Sequence, residues 1–238
     1  MVRLLAFAII GIALAFAFGF KPEPDKRVLF IGNSFTFGGD IPTQVRNIAG
    51  SSTPAVNYHV NMVAYPGITL AEHLEQTEAL ERIQNGVWDV VVLQDASVMS
   101  FRPEWVAQME HATSVLALAA QRNGVEVIYF AHWAPGALAH DQTAANQTIE
   151  NTYTRIADRS GGTVAAAGRV WQMAADEGLT GLYSEDGHHS SLKGAYAAAL
   201  AIAATLNDVD VMTADWAPKS VSEAERQFLR AAAASLSP

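Results

Sequence analysis

Short β-branched and apolar runs alternate along this chain with longer stretches whose apolar residues recur at helical spacing. Arg27–Ile31 reads as a buried strand, because Val28-Leu29-Phe30-Ile31 shows no polar alternation. Val56–Ala64, Val87–Leu93, Val125–Ala131 and Thr163–Ala167 read as further strands, with Val87–Leu93 the most apolar and expected at the centre. Helices are predicted over Ile41–Ala49, with Asp40 as N-cap and Pro42 in the first turn, and from Leu70 to about Gln84. Thr69 and Glu72 would form a capping box on the second of these. Further helices are predicted over Pro103–Asn123, about Thr143–Arg159, Ser191 to about Leu206, and Val221 to about Ala234. This alternation predicts an α/β fold with a central parallel sheet covered on both faces.

In such sheets, ligands bind beyond the carboxyl ends of the strands. Asn33-Ser34, Gly67, Gln94-Asp95 and His132-Trp133 each follow the C-terminal end of a predicted strand. Four separate segments are therefore expected on one rim. Ser34 follows a strand and a glycine and precedes a helical turn, where unsatisfied N–H groups favour negative charge. Taken alone, it reads more readily as an ordinary turn serine. Far along the chain, Asp186 and His189 stand three residues apart in a glycine-bounded segment. That spacing lets a carboxylate orient an imidazole and stabilise the imidazolium that forms. Ser34, His189 and Asp186 thus offer nucleophile, base and orienting group for acyl transfer.

His188 is expected to face solvent or to support its neighbour. A metal reading of Asp186, His188, His189 and His132 stays open as an alternative, but no helical ligand spacing supports it, and no metal is expected. Asn33 and Trp133 are candidate substrate contacts, although plain packing serves equally for Trp133. Trp88, Trp105 and Trp171 read as packing residues, and Glu72, Glu75, Glu78 and Glu81 as a solvated helix face.

Composition narrows the partners. The 238 residues suit one sizeable domain, half of them are apolar, and only 16% are charged, so the chain should fold. A net charge of −9 with scattered Lys and Arg argues against nucleic acid. With no cysteine, neither disulfides nor a lipid-bearing cysteine can form. Residues 1–20, in which Arg3 precedes the uncharged stretch Leu4–Phe20, read as a secretory signal. The stretch falls slightly short of the ~20 residues of a spanning helix, so a retained N-terminal anchor stays open. Residues 21–26 would be a linker and 27–238 the domain. An exported protein, periplasmic or secreted in a bacterium, is expected, with no stable membrane partner unless the N-terminal segment is retained.

The chain resembles the SGNH hydrolases, the GDSL-like esterases and lipases. The likeness rests on Gly32-Asn33-Ser34-Phe35-Thr36, on Gly67, on Val90–Ser97, and on Asp186-Gly187-His188-His189 followed by Ser191, Gly194 and Tyr196. It spans residues 27–206. It implies a three-layer α/β/α flavodoxin-like sandwich, a Ser34–His189–Asp186 triad, no required cofactor, and a small-molecule or carbohydrate ester as substrate, with an acetyl ester on a carbohydrate suggested by analogy. Two positions depart from the family pattern. Asn33 stands where the family usually has Asp, and Gln94-Asp95-Ala96 replaces its Gly-x-Asn block, with Ala96 on the asparagine. The oxyanion hole is then expected from the N–H groups of Ser34 and Gly67, helped by the Gln94 amide. A binding module of the same fold and a metal-dependent hydrolase are the alternatives.

Overall fold

A computed structural model describes residues 26–136 and 141–237. The expected signal or anchor, and the linker up to residue 25, lie outside the described residues. Five strands, β1 (Lys26–Gly32), β2 (Tyr58–Ala64), β3 (Val90–Leu93), β4 (Glu126–Ala131) and β5 (Thr163–Ala166), form one sheet in the order β2-β1-β3-β4-β5. All four pairings are parallel, and β3 is the middle strand, as its continuous apolar character predicts.

Successive residues of a strand point to opposite faces, and here both faces are covered. Val28, Phe30, Val90, Val92, Ile128 and Phe130 pack into one core. Leu29, Ile31, Val91, Leu93, Val127 and Tyr129 pack into the other. The first core is roofed by α2 (Ile41–Gly50), α7 (Ala167–Asp176), α8 (Leu192–Ala204) and α9 (Glu223–Ala234). The second is roofed by α3 (Leu70–Gln76), α4 (Ala79–Asn85), α5 (Pro103–Arg122) and α6 (Gln142–Ser160). The short α1 (Ser34–Phe37) lies at the end of β1. This is the three-layer α/β/α arrangement. Every residue of α8 from Gly194 to Ala204 is buried, which explains its nearly uniform apolar sequence. Among the described residues no helix is long and apolar enough to cross a membrane.

Several elements differ from their sequence-based expectations for local reasons. The helix expected from Leu70 to Gln84 breaks into α3 and α4 at Thr77, which is extended (φ −130°, ψ 172°). The Thr77 hydroxyl lies 3.0 Å from His73 Nδ1 and accepts the Ala79 N–H, bonds that compete with a continuous helix. Asp40 precedes α2 in a left-handed conformation (φ 52°) and its side chain caps nothing. The capping box of Thr69 and Glu72 forms as expected. Helix α7 follows β5 directly, with no capping side chain to announce it.

Candidate active site

The nucleophile turn is shaped by what surrounds Gly32. A Cβ there would lie 2.2 Å from Thr36 Oγ1 and 2.6 Å from Gln94 Oε1, so only glycine fits where β1 ends. Asn33 follows in extended conformation and caps α1, its Oδ1 accepting the Phe35 N–H at 3.0 Å. Its Nδ2 donates to the Ile68 carbonyl at 3.0 Å, tying this turn to the loop after β2. Ser34 is therefore the first residue of α1. Phe35 anchors the turn from below, stacked on Trp133 (4.6 Å), which stacks in turn on Trp171 (4.4 Å).

Asp186 and His189 are held in a tight turn that builds its own carboxylate site. Asp186 Oδ1 accepts from Ser184 Oγ (2.6 Å), the His188 N–H (2.8 Å) and the His189 N–H (2.9 Å). Its Oδ2 lies 2.7 Å from His189 Nδ1. The His189 hydrogen bond, then those from Ser184 and the two backbone N–H groups, hold the Asp186 carboxyl well below the usual carboxylate range. An ionised carboxylate only accepts, so His189 Nδ1 donates to it and Nε2 is left to accept. That Nε2 lies 2.8 Å from Ser34 Oγ. Residues 155 positions apart in the chain are thus joined in one hydrogen-bonded line.

Gly67 stands across from Ser34 with φ +67°, a left-handed conformation that suits glycine. The N–H groups of Ser34 and Gly67 have no hydrogen-bond partner among the described residues. The loop carrying Gly67 is pinned by Asn33 at Ile68 and by Asp95 Oδ1, which accepts the Leu70 N–H at 2.9 Å. His73, fully buried, adds a further tie through Nε2 to the Gly32 carbonyl at 2.8 Å. Burial lowers the His73 pKa, which keeps the ring neutral with Nε2 as the donor. Between the two segments lies a cleft of about 560 Å³ lined by Ser34, Phe37, Gly38, Pro66, Gly67, His188 and His189.

Three expected site residues are placed differently. Gln94 is buried, its Oε1 accepting the Asn33 N–H (3.0 Å) and the Thr36 hydroxyl (2.8 Å), while Nε2 donates to the Asp95 carbonyl. Flipping the amide would set donor against donor at Asn33, and the side chain, buried and absent from the cleft lining, donates to the Asp95 carbonyl away from the cleft. Gln94 supports the nucleophile turn instead. Trp133 is wholly buried, with Nε1 donating to the His188 carbonyl at 3.1 Å, and so buttresses the site without lining the cleft. Asn33 is also buried, its side chain spent on Phe35 and Ile68, so it organises the backbone rather than touching a substrate. In each case a backbone group brought close by the fold captures the polar atom.

His188, expected to face solvent or to support its neighbour, lines the open cleft beside His189, their ring centroids 4.6 Å apart. Phe37, Gly38 and Pro66, which sequence reasoning passed over, line it too, and the only signal for them was adjacency to Ser34 and Gly67. Behind the site, desolvation raises Asp95 to about 6 and lowers His132 to about 4. Among the described residues, no three His, Asp or Glu side chains are grouped to hold a metal ion, so His132, Asp186, His188 and His189 do not form a ligand set.

No protein-family model matches the chain, and no curated protein matches it. Solved structures do. A DUF4886 family protein from Bacteroides uniformis superposes with a TM-score of 0.74 at 15% identity, covering 88% of this chain and 93% of its own. A protein from Slackia heliotrinireducens described as a candidate SGNH hydrolase gives 0.63 at 25% identity, covering 76% and 99%. Axe2, an acetylxylan esterase from Geobacillus stearothermophilus, gives 0.54 at 16% identity, covering 76% and 92%.

Proposed function

We propose that this chain, an SGNH hydrolase by fold, is a serine esterase that uses Ser34 as nucleophile, His189 as base and Asp186 as orienting carboxylate. The observation that carries this reading is the line Asp186 Oδ2–His189 Nδ1 (2.7 Å) and His189 Nε2–Ser34 Oγ (2.8 Å), which ends in an open cleft. Ser34 Oγ attacks the ester carbonyl carbon while His189 Nε2 takes its proton, and the ionised Asp186 stabilises the imidazolium. The developing oxyanion receives the N–H groups of Ser34 and Gly67. When the tetrahedral intermediate collapses, His189 returns the proton to the leaving alcohol oxygen. Water, deprotonated by the same imidazole, then clears the acyl-enzyme.

The substrate we propose is an acetyl ester on a carbohydrate. Likeness to an acetylxylan esterase supports it, as does the open cleft beside Ser34. Export, read from residues 1–20, fits a polysaccharide-derived substrate. A second reading, a binding module of the same fold, draws on Gln94, which is buried behind the nucleophile turn and bonded to Asn33, Thr36 and Asp95, so that the cleft presents two backbone donors to the oxyanion. One missing donor typically costs ~100–1,000-fold in turnover. Fluorophosphonate labelling separates the two. Stoichiometric labelling and hydrolysis of p-nitrophenyl acetate, both abolished in Ser34→Ala with the fold intact, are expected of the esterase. An unlabelled wild-type protein would sink it.

A further inference from the structure

His188 sits in the cleft, yet the proposed triad does not use it. Its backbone is held on both sides: the N–H donates to Asp186 Oδ1 (2.8 Å), and the carbonyl accepts Trp133 Nε1–H (3.1 Å). Its ring is wedged edge-on against Phe35 (5.0 Å between centroids, 85°) and His189 (4.6 Å, 81°). Neither ring nitrogen has a hydrogen-bond partner among the described residues. A polar ring is therefore fixed in place beside the reacting serine with its hydrogen-bonding capacity unspent.

Partial burial, then the neighbouring His189, lower the His188 pKa, so near neutral pH the ring is uncharged and offers one donor and one acceptor. That pairing suits a hydroxyl, which both donates and accepts. Direction follows from the chemistry of the proposed reaction. His189 returns its proton to the leaving oxygen, so the alcohol departs beside His189, and His188 is packed against that ring. Gly67, on the other segment, would hold the oxyanion.

We infer that His188 is a specificity-determining residue that hydrogen-bonds a hydroxyl on the leaving alcohol, favouring esters of polyhydroxylated alcohols, carbohydrates foremost. This inference rests on the serine-esterase reading of Ser34. Preorganisation strengthens it, because a ring already held by its neighbours loses little freedom when substrate arrives.

The test compares two primary acetates, each carried on a CH2 group attached to a six-membered ring. One is glucose acetylated on its primary hydroxyl; the other is cyclohexylmethyl acetate, a similar ring without hydroxyls. His188→Phe retains an aromatic ring against Phe35 but cannot hydrogen-bond, whereas His188→Gln restores a donor and an acceptor. Wild-type protein should prefer the glucose ester. In His188→Phe, the ratio of kcat/KM for the glucose ester to that for cyclohexylmethyl acetate should fall about tenfold, in line with one lost hydrogen bond. His188→Gln should recover part of that ratio. An unchanged ratio in His188→Phe, or equal losses on both esters, would overturn the inference while leaving the esterase reading standing. Wild-type protein that hydrolyses neither ester, or Ser34→Ala protein that still hydrolyses both, would overturn the esterase reading and this inference with it.

Discussion

Replacing Gln94 by methionine separates support of the nucleophile turn from direct stabilisation of the oxyanion. Methionine roughly conserves volume, so the perturbation is the loss of the amide rather than a cavity. Three buried groups lose their partner: the Asn33 N–H, the Thr36 hydroxyl and the Asp95 carbonyl. The Thr36 hydroxyl can rotate within α1, whereas the two backbone groups cannot. At ~1–3 kcal/mol for each unsatisfied buried group, a destabilisation of about 2–6 kcal/mol follows. Urea denaturation should show the midpoint falling with the slope preserved. Turnover and KM for p-nitrophenyl acetate, measured well below the melting temperature, should each change by less than about tenfold. A fall in turnover of ~100–1,000-fold with unchanged KM and unchanged denaturation midpoint is the signature of a lost oxyanion donor. That result would refute the placement of Gln94 as a supporting residue.

Three further outcomes are expected. Alanine at His189 should cost far more turnover than alanine at His188, because only His189 contacts both Asp186 and Ser34; equal losses would show that the histidines are misassigned. Gly32→Ala should destabilise the fold by about 1–3 kcal/mol or more in chemical denaturation, because Thr36 Oγ1 and Gln94 Oε1 occupy the space of its Cβ; a neutral effect would contradict that packing. Asp95 has a folded pKa near 6 against 3.8 unfolded, so its proton-linked stability is present below about pH 4 and is lost as pH rises through 6. Asp95→Asn should therefore gain on wild type by about 3 kcal/mol over that interval in pH-dependent denaturation, and a gap that shrinks instead would contradict the raised value. The pairing matters because His132, lowered to about 4, loses stability in the opposite direction as pH falls from 6.5, and the variant cancels that common contribution.

The parts of this protein legible in its sequence are those written by neighbours in the chain. The uninterrupted run Val28–Ile31 announces a strand covered on both faces, and the Thr69–Glu72 capping box announces the start of α3. The Asp186–His189 spacing likewise suffices for a carboxylate to reach an imidazole, because one turn joins them. Ser34 is marked by its position between a strand and a helical turn. The end of α3 at Thr77 and the start of α7 at Ala167 carried no such local signal.

What only the tertiary structure decided is the direction of each polar side chain at the strand ends. Gln94 bonds to Asn33, 61 positions earlier; Trp133 bonds to His188, 55 positions later; and Ser34 finds His189 only because the end of β1 and the loop before α8 meet on one rim. Periodicity states which face of an element is apolar, and that is enough to build a sheet and its layers. It does not state which of several backbone groups will capture an amide or an indole N–H. That competition is settled by the partners the fold brings within hydrogen-bonding distance, which is why Gln94 and Trp133 became supports while His188 was left with its ring unpaired in the cleft.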